Sequence, residues 1–253
     1  MKDFFDEITD QTESLNYLDQ GSEAWEQIRV GRFTSSEWHK LMGTAYREMT
    51  DTELRARPKT GKGSKTSKIA DHSKISETAE TYIKQKVFEA RAGKPKPQQY
   101  AYALGYGKEH EPDAVEEFER LTGLVCVPSG FHVYTDHAGG SPDRLIGNDA
   151  GLEVKCPVFE KQIDYEMLTD HYDLKRMFPE YYWQCITLLL FLNRKTWYFA
   201  SWSASLPEGK RMRKSNIIEL SSDNQDIKDD FDLINVKLAG AVKSKLELIK
   251  LLD

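Results

Sequence analysis

Ser141-Pro142-Asp143-Arg144-Leu145-Ile146-Gly147-Asn148-Asp149-Ala150-Gly151-Leu152-Glu153-Val154-Lys155-Cys156-Pro157 decides how the rest of the chain is read. Apolar Leu145 and Ile146 run into Gly147-Asn148-Asp149-Ala150-Gly151, a cluster of turn formers. The chain then re-enters a short strand from Leu152 to Cys156, so the segment predicts a β-hairpin with a loop of about five residues. Side chains alternate faces along a strand, which puts Glu153 and Lys155 together and Val154 opposite. Val154 is expected in a core and the Glu153/Lys155 pair on an exposed face. Asp143, at the start of the first strand, is expected to pair beside Glu153.

Two carboxylates held close repel unless a positive charge lies between them. A hard divalent cation such as Mg²⁺ or Mn²⁺ supplies that charge and prefers oxygen ligands. The Lys155 ammonium can then hold a water or stabilise a phosphate. These are the parts for hydrolysing a phosphodiester. Pro142-Asp143, nine intervening residues and Glu153-Val154-Lys155 resemble the PD-(D/E)xK nuclease core. A short D…ExK string also arises by chance on a surface hairpin, so the flanking blocks have to decide.

Working outward, the helical stretch before the hairpin comes first. From about Lys108 to Thr122, Glu111, Ala114, Val115 and Phe118 form one stripe, ended by Gly123. An acid on a packing face needs a partner, and a metal shared with Asp143 and Glu153 would be one. Without it, Glu111 is a first-turn Glu favoured by the helix dipole, with Pro112 in an early position. Leu124 to Tyr134 reads as two short strands broken at Pro128-Ser129-Gly130. After the hairpin, Phe178 to Leu192 reads as a helix apolar nearly all round, hence buried against a sheet, with Gln184 its polar exception. Gln184 is expected to orient a water, to contact Glu153 or Lys155, or simply to bond backbone. Lys195 to Trp202 and Ile217 to Leu220 read as strands, and Asp226 to Leu252 as a long amphipathic helix.

At the other end, residues 1–20 read as a short helix or ordered tail. Ser22 caps a helix carrying Trp25, Ile28 and Arg29 on one face, and Gly31 ends it. Thr34-Ser35-Ser36 is expected to cap a second helix. Small hydroxyls at a helix start beside Arg29 and Arg32 suit an anion, although an ordinary capped connection explains them locally. Residues 44–75, basic and poor in apolar side chains, read as a mobile loop or phosphate-contacting arm. Gly61-Lys62 and Gly63-Ser64-Lys65-Thr66 do not make a P-loop, because the G-x-x-x-x-G-K-[ST] string and its preceding strand are missing. Ser76 to Ala92 is a further helix with Gly93 as its stop.

Composition sets the bounds. The chain has 253 residues, 39% hydrophobic and 30% charged, and reads as a soluble single domain, 1–253. No apolar run spans a bilayer and no signal-peptide pattern opens the chain. Three scattered cysteines imply no disulfide framework and a reducing, cytoplasmic setting. A net charge of −6 argues against a protein that coats nucleic acid, but leaves room for a local basic surface.

Taken together, Arg29-x-Gly31-x-x-Thr34-x-Ser36-Glu37, Gly107-Lys108-x-x-Glu111-x-Asp113-Ala114, Ser141-Pro142-Asp143, Leu152-Glu153-Val154-Lys155-Cys156-Pro157, Gln184 and Trp197-Tyr198-Phe199-Ala200 resemble the phage lambda exonuclease family, the YqaJ-type viral recombinase nucleases, over roughly residues 22–202. The resemblance implies an α/β fold, a restriction-endonuclease-like core with a central mixed β-sheet flanked by helices. Residues 223–253 add a C-terminal helical segment. It implies an exonuclease that digests one strand of linear double-stranded DNA from the 5′ end and leaves 3′ overhangs. It further implies Mg²⁺ (Mn²⁺ substituting), two ions per site, a ring-shaped homotrimer, and a single-strand annealing protein as a partner. By position, Asp143, Glu153 and the Val154 carbonyl would hold metal and Lys155 would activate water. Glu111 and Gln184 would support them. Arg29 and Ser36, with Thr34 and Lys161, would bind the 5′-phosphate. Lys161 stands where the family has an arginine, a point charge in place of a bidentate fork. A nicking or restriction-type endonuclease on the same core, and a non-catalytic DNA-binding protein, are the other readings of these residues.

Overall fold

The computed structural model describes residues 18, 20–56, 68–71, 74–97 and 102–253. The readings made for residues 1–17 and for the centre of the basic loop, 57–67, lie outside the described residues.

A five-stranded mixed sheet carries the architecture. Its strands are β4 (Cys126–Val127), β7 (Arg144–Ile146), β8 (Ala150–Lys155), β9 (Thr196–Ser201) and β10 (Ile217–Ser221), in spatial order β10-β9-β8-β7-β4. The β7/β8 pair is the expected antiparallel hairpin, with Arg144 opposite Leu152 and Ile146 opposite Ala150. Its loop is Gly147–Asp149, shorter than expected, and Gly147 takes a positive φ of 50° that suits glycine. β8 then runs parallel to β9, Glu153 opposite Phe199 and Lys155 opposite Ser201. A parallel pair needs a long crossover. Here it is helices α5 (Lys161–Glu166), α6 (His171–Met177) and α7 (Pro179–Phe191).

Each face of the sheet meets a helix. Leu152, Val154 and Ala200 pack on Ala114, Val115 and Phe118 of α4 (Tyr102–Thr122). The other face places Trp197 and Phe199 with Ile186 and Leu189 of α7, in a core that also takes in α3 (Glu77–Ala92) and α8 (Gln225–Leu252). Ile234, Leu238 and Ala241 anchor α8 in it, whereas Leu246, at a helical spacing from them, is 48% exposed.

Before α3, Ser22 accepts from the Trp25 amide and opens α1 (Glu23–Ile28). Gly31, at φ 69°, turns the chain into β1 (Phe33–Thr34). β1 pairs parallel with β6 (Ala138–Gly140), which also pairs antiparallel with β5 (His132–Thr135). The expected second helix is a 3₁₀ turn over Ser35–Lys40, and its N-cap Thr34 makes no side-chain cap bond. The Thr34 hydroxyl faces Ser36 and Tyr82 instead. The described part of 44–75 is ordered rather than a bare loop. β2 (Tyr46–Glu48) pairs with β3 (Lys68–Ala70), and α2 (Asp51–Ala56) is tied back by Arg47 to Glu53 at 2.7 and 2.8 Å. Helix α4 begins six residues before the expected Lys108, leaving Pro112 in its middle. The added turns contain Gly105 and Gly107, but glycine inside a helix costs only about 1 kcal/mol, which packing against the sheet offsets. Among the described residues no helix is long and apolar enough to cross a membrane.

Candidate active site

The turn before β7 is held in place first. Gln20 donates to the Pro142 carbonyl at 3.0 Å, and the Trp25 indole donates to the Ser141 hydroxyl at 2.8 Å. Asp143 then accepts from the Val154 amide at 2.8 Å, across the open end of the hairpin. The Lys155 carbonyl accepts from the Trp202 amide on the β9 side. Alternation along β8 therefore turns the Val154 carbonyl toward Asp143.

Glu153 and Lys155 share a face, but that face is covered. Glu153 is completely buried while about a quarter of the Lys155 side chain, 24%, stays open. The expected exposed pair is thus corrected: α7 lies over it. Alternation alone could not show which side of the strand a helix would cover. Glu153 Oε1 accepts from the Lys155 ammonium and from Gln184 Nε2, the latter at 2.7 Å. Glu153 Oε2 is buried with no hydrogen-bond partner. Burial, then the charge of Asp143, outweigh Lys155 and push the Glu153 carboxyl up to about 8. Burial works against the Lys155 ammonium, yet Glu153 and Asp143 overcome it and hold its pKa above the ordinary lysine value. Tyr181 places its ring 5.0 Å from the same nitrogen.

Glu111 reaches this cluster from α4, paired with Arg144 at 2.6 Å. Burial and Asp143 raise its pKa, with Arg144 opposing. Arg144 is thus the partner that the sequence could not supply for Glu111.

A cleft of about 590 Å³ unites these groups. Its walls include Asp143, Glu153, Val154, Lys155, Glu111 and Gln184, and also Arg29, Thr34, Ser36 and Lys161. These candidates for the chemistry and for the phosphate therefore line one space, whereas Arg32, also named beside the anion site, does not and donates to the Ile28 carbonyl instead. Arg29 lies over the Trp25 ring at 3.8 Å. Its burial lowers its pKa, against the pull of Glu26 and Glu37.

Among the described residues no three His, Cys, Asp or Glu side chains already converge on a metal position. Internal partners occupy their oxygens: the Val154 amide on Asp143, Lys155 and Gln184 on Glu153, Arg144 on Glu111. The unpartnered Glu153 Oε2 is the exception, a buried carboxyl oxygen that a hard cation would satisfy on displacing its proton.

The sequence model of the YqaJ-like viral recombinase domain matches residues 52–191, more than half of the chain. The chain belongs to this family. The match contains Glu111, Asp143, Glu153, Lys155, Lys161 and Gln184, while Arg29, Thr34 and Ser36 precede it. The structure is similar to an alkaline exonuclease, LHK-Exo, from Laribacter hongkongensis, with a TM-score of 0.65 at 19% identity, covering 91% of this chain and 96% of that one. The same enzyme in complex with dAMP gives 0.63 at 19% identity and the same coverage. A phage-related exonuclease from Haemophilus somnus 129PT gives 0.61 at 13% identity, covering 88% and 96%. At such identities the likeness is one of fold, the mixed α/β arrangement described above. No curated protein matches the chain.

Within this YqaJ-family cleft, the sequence spacing puts Trp25 on one helical face with Arg29 and Tyr181 on one face with Gln184, but it assigns neither aromatic a role; the structure sets Trp25 under Arg29 and Tyr181 beside Lys155.

Proposed function

We propose that the protein is a divalent-metal-dependent deoxyribonuclease that digests one strand of linear double-stranded DNA from its 5′ end and leaves 3′ overhangs for recombination. The observation that carries this reading is the convergence of Asp143, Glu153 and Lys155 in one cleft, with a buried Glu153 oxygen left unpartnered, in a chain of the YqaJ family. The fold it shares with alkaline and phage-related exonucleases supports it further.

Asp143, Glu153 Oε2 and the Val154 carbonyl are the groups that would hold Mg²⁺ or Mn²⁺, at two ions per site. Bound there, the metal supplies Lewis-acid stabilisation of the scissile phosphate and a water of lowered pKa. The chain's own residues do the rest. Gln184 fixes the Glu153 carboxylate by donating to its other oxygen. Lys155, pinned by Glu153 beside the Tyr181 ring, donates to the attacking water and faces the charge that grows on the phosphate. Arg29, stiffened on Trp25, the Thr34 and Ser36 hydroxyls and Lys161 line the same cleft and are suited to a terminal phosphate. Holding that phosphate would add binding for a phosphorylated end in ground state and transition state alike, and so tighten capture of the DNA end. By family resemblance the enzyme assembles as a homotrimeric ring around DNA and works with a single-strand annealing protein.

Covalently closed and linear 5′-phosphorylated duplex, incubated side by side with Mg²⁺ or with EDTA, test the reading. Linear DNA is digested only with metal, and Lys155→Ala removes most of the turnover. Cutting of closed circles favours an endonuclease, and a Lys155→Ala protein of parental rate refutes the site.

A further inference from the structure

Arg29, Thr34 and Ser36 belong to one short excursion of the chain, from the end of α1 to the 3₁₀ turn. The tightest point of that excursion is Gly31, in the left-handed region at φ 69°. A Cβ there would lie 3.0 Å from Ala90 Cβ of α3. Both backbone groups of Gly31 are taken by buried charged side chains. Its amide donates to Glu89 Oε2 at 3.2 Å, and its carbonyl accepts from Lys245 Nζ at 2.7 Å. Glu89 is 2% exposed and Lys245 5%. The network continues on the same side: Lys86 pairs with Glu89 at 3.0 Å and approaches Glu37 at 3.7 Å, and the Thr34 amide donates to the Tyr82 hydroxyl at 3.0 Å.

Burying ionised side chains is costly, and two apolar residues would join α3 to α8 as well. What apolar residues could not do is hold both backbone groups of a turn at fixed height. The charged groups converge on the backbone of the segment that carries one wall of the cleft, and Lys245 reaches it from a helix 214 residues away in the chain. Glu89 and Lys245 do not line the cleft itself.

We propose that Lys245 and Glu89 are positioning residues: they clamp Gly31 and thereby set the spacing of Arg29 against Thr34 and Ser36, so that substrate capture depends on the C-terminal helix. This rests on the reading of that wall as the site of the 5′-terminal phosphate. The clamp acts on binding geometry and not on the carboxylates, so it separates KM from kcat.

The experiment is steady-state digestion of 5′-phosphorylated and 5′-hydroxyl linear duplex with Mg²⁺, by the parent enzyme, Lys245→Met, Lys245→Gln, Lys245→Arg and the exposed control Lys250→Gln. Lys245→Met and Lys245→Gln raise KM for phosphorylated ends about tenfold or more, the scale of a misplaced binding group. They leave kcat, and KM for hydroxyl ends, within about twofold. Lys245→Arg, which keeps the charge and the reach, retains most of the parent's preference, and Lys250→Gln retains all of it. A parent that digests both ends alike overturns the end-phosphate reading and the clamp with it. A parent that prefers the phosphate, with neutral Lys245 variants that keep the preference or slow on both ends equally, overturns the clamp alone. Failure of both neutral variants to fold assigns Lys245 to core stability and overturns it as well.

Discussion

Glu153→Gln tests the electrostatics of the site without using activity. The substitution keeps the shape of the side chain and an oxygen for Gln184 and Lys155, but removes the ionisable group. In the metal-free protein, burial and Asp143 hold the Glu153 carboxyl at about 8, against an ordinary 4.5. A carboxyl raised in the folded state keeps a proton that the unfolded chain has released. Stability therefore falls as pH rises from 4.5 through about 8, and levels off beyond. At 1.36 kcal/mol per pKa unit, the full cost is on the order of 5 kcal/mol above pH 8, and close to zero near pH 4.5. Glu153→Gln does not incur it. Urea denaturation in EDTA at pH 5, 6.5 and 8 should show parent and variant nearly equal at the lowest pH. The variant should then become progressively more stable, by a few kcal/mol at pH 8, while having no nuclease activity. Parallel stability curves across this range would refute the reasoning, because they would mean that Glu153 ionises in the fold as easily as in water.

Gln184→Leu frees the Glu153 carboxylate from its donor, and should raise the Mg²⁺ concentration for half-maximal activity about 10–100-fold; an unchanged metal dependence would assign Gln184 to packing. Gly151→Ala would set a Cβ 2.4 Å from the fully buried Trp197 ring and should cost about 1–3 kcal/mol or more in urea unfolding. Gly240→Ala, in α8 with open space around it, should stabilise by roughly 0.5–1 kcal/mol, so equal effects of the two would contradict the packing. His132, bonded to Ser129 and lowered from 6.5 to about 4 by burial and then Arg194, stays neutral in the fold while the unfolded chain takes up a proton. Stability therefore drops as pH falls from 6.5 to about 4, and His132→Gln should flatten the pH dependence of the thermal midpoint over that window.

The elements legible from sequence were those whose signal is local. The β7/β8 hairpin, helix α7, strand β9 and helix α8 carry their turn residues or their periods within themselves. What stayed hidden depends on pieces far apart. The alternation of Leu152, Glu153, Val154 and Lys155 separates two faces but does not say that α7 covers the charged one. Thr34-Ser35-Ser36 has the residue types of a helix cap, but pairing of β1 with β6 and the Tyr82 hydroxyl claim the segment instead. Helix α4 runs through two glycines because the sheet beneath it outweighs their local cost. Arg144 was passed over although it is adjacent to Asp143. Its partner Glu111 is 33 residues away, and only the fold brings the two within 2.6 Å.

The charge of the cleft explains how an acidic chain can serve as a nuclease. The net charge is −6, yet the cleft gathers Arg29, Lys108, Lys155 and Lys161 against Glu111, Asp143 and Glu153. Without metal the acids are occupied by internal donors, and burial keeps the Glu153 carboxyl largely protonated below about pH 8. Such a space holds one buried oxygen without a partner. Each divalent cation would satisfy anionic oxygens inside the cleft and add two positive charges where the phosphates must lie. On the proposed function, metal binding and DNA binding are therefore one electrostatic event. The carboxylates that bind the metal would thereby add its charge to the pull of Arg29, Lys108, Lys155 and Lys161 on the DNA backbone.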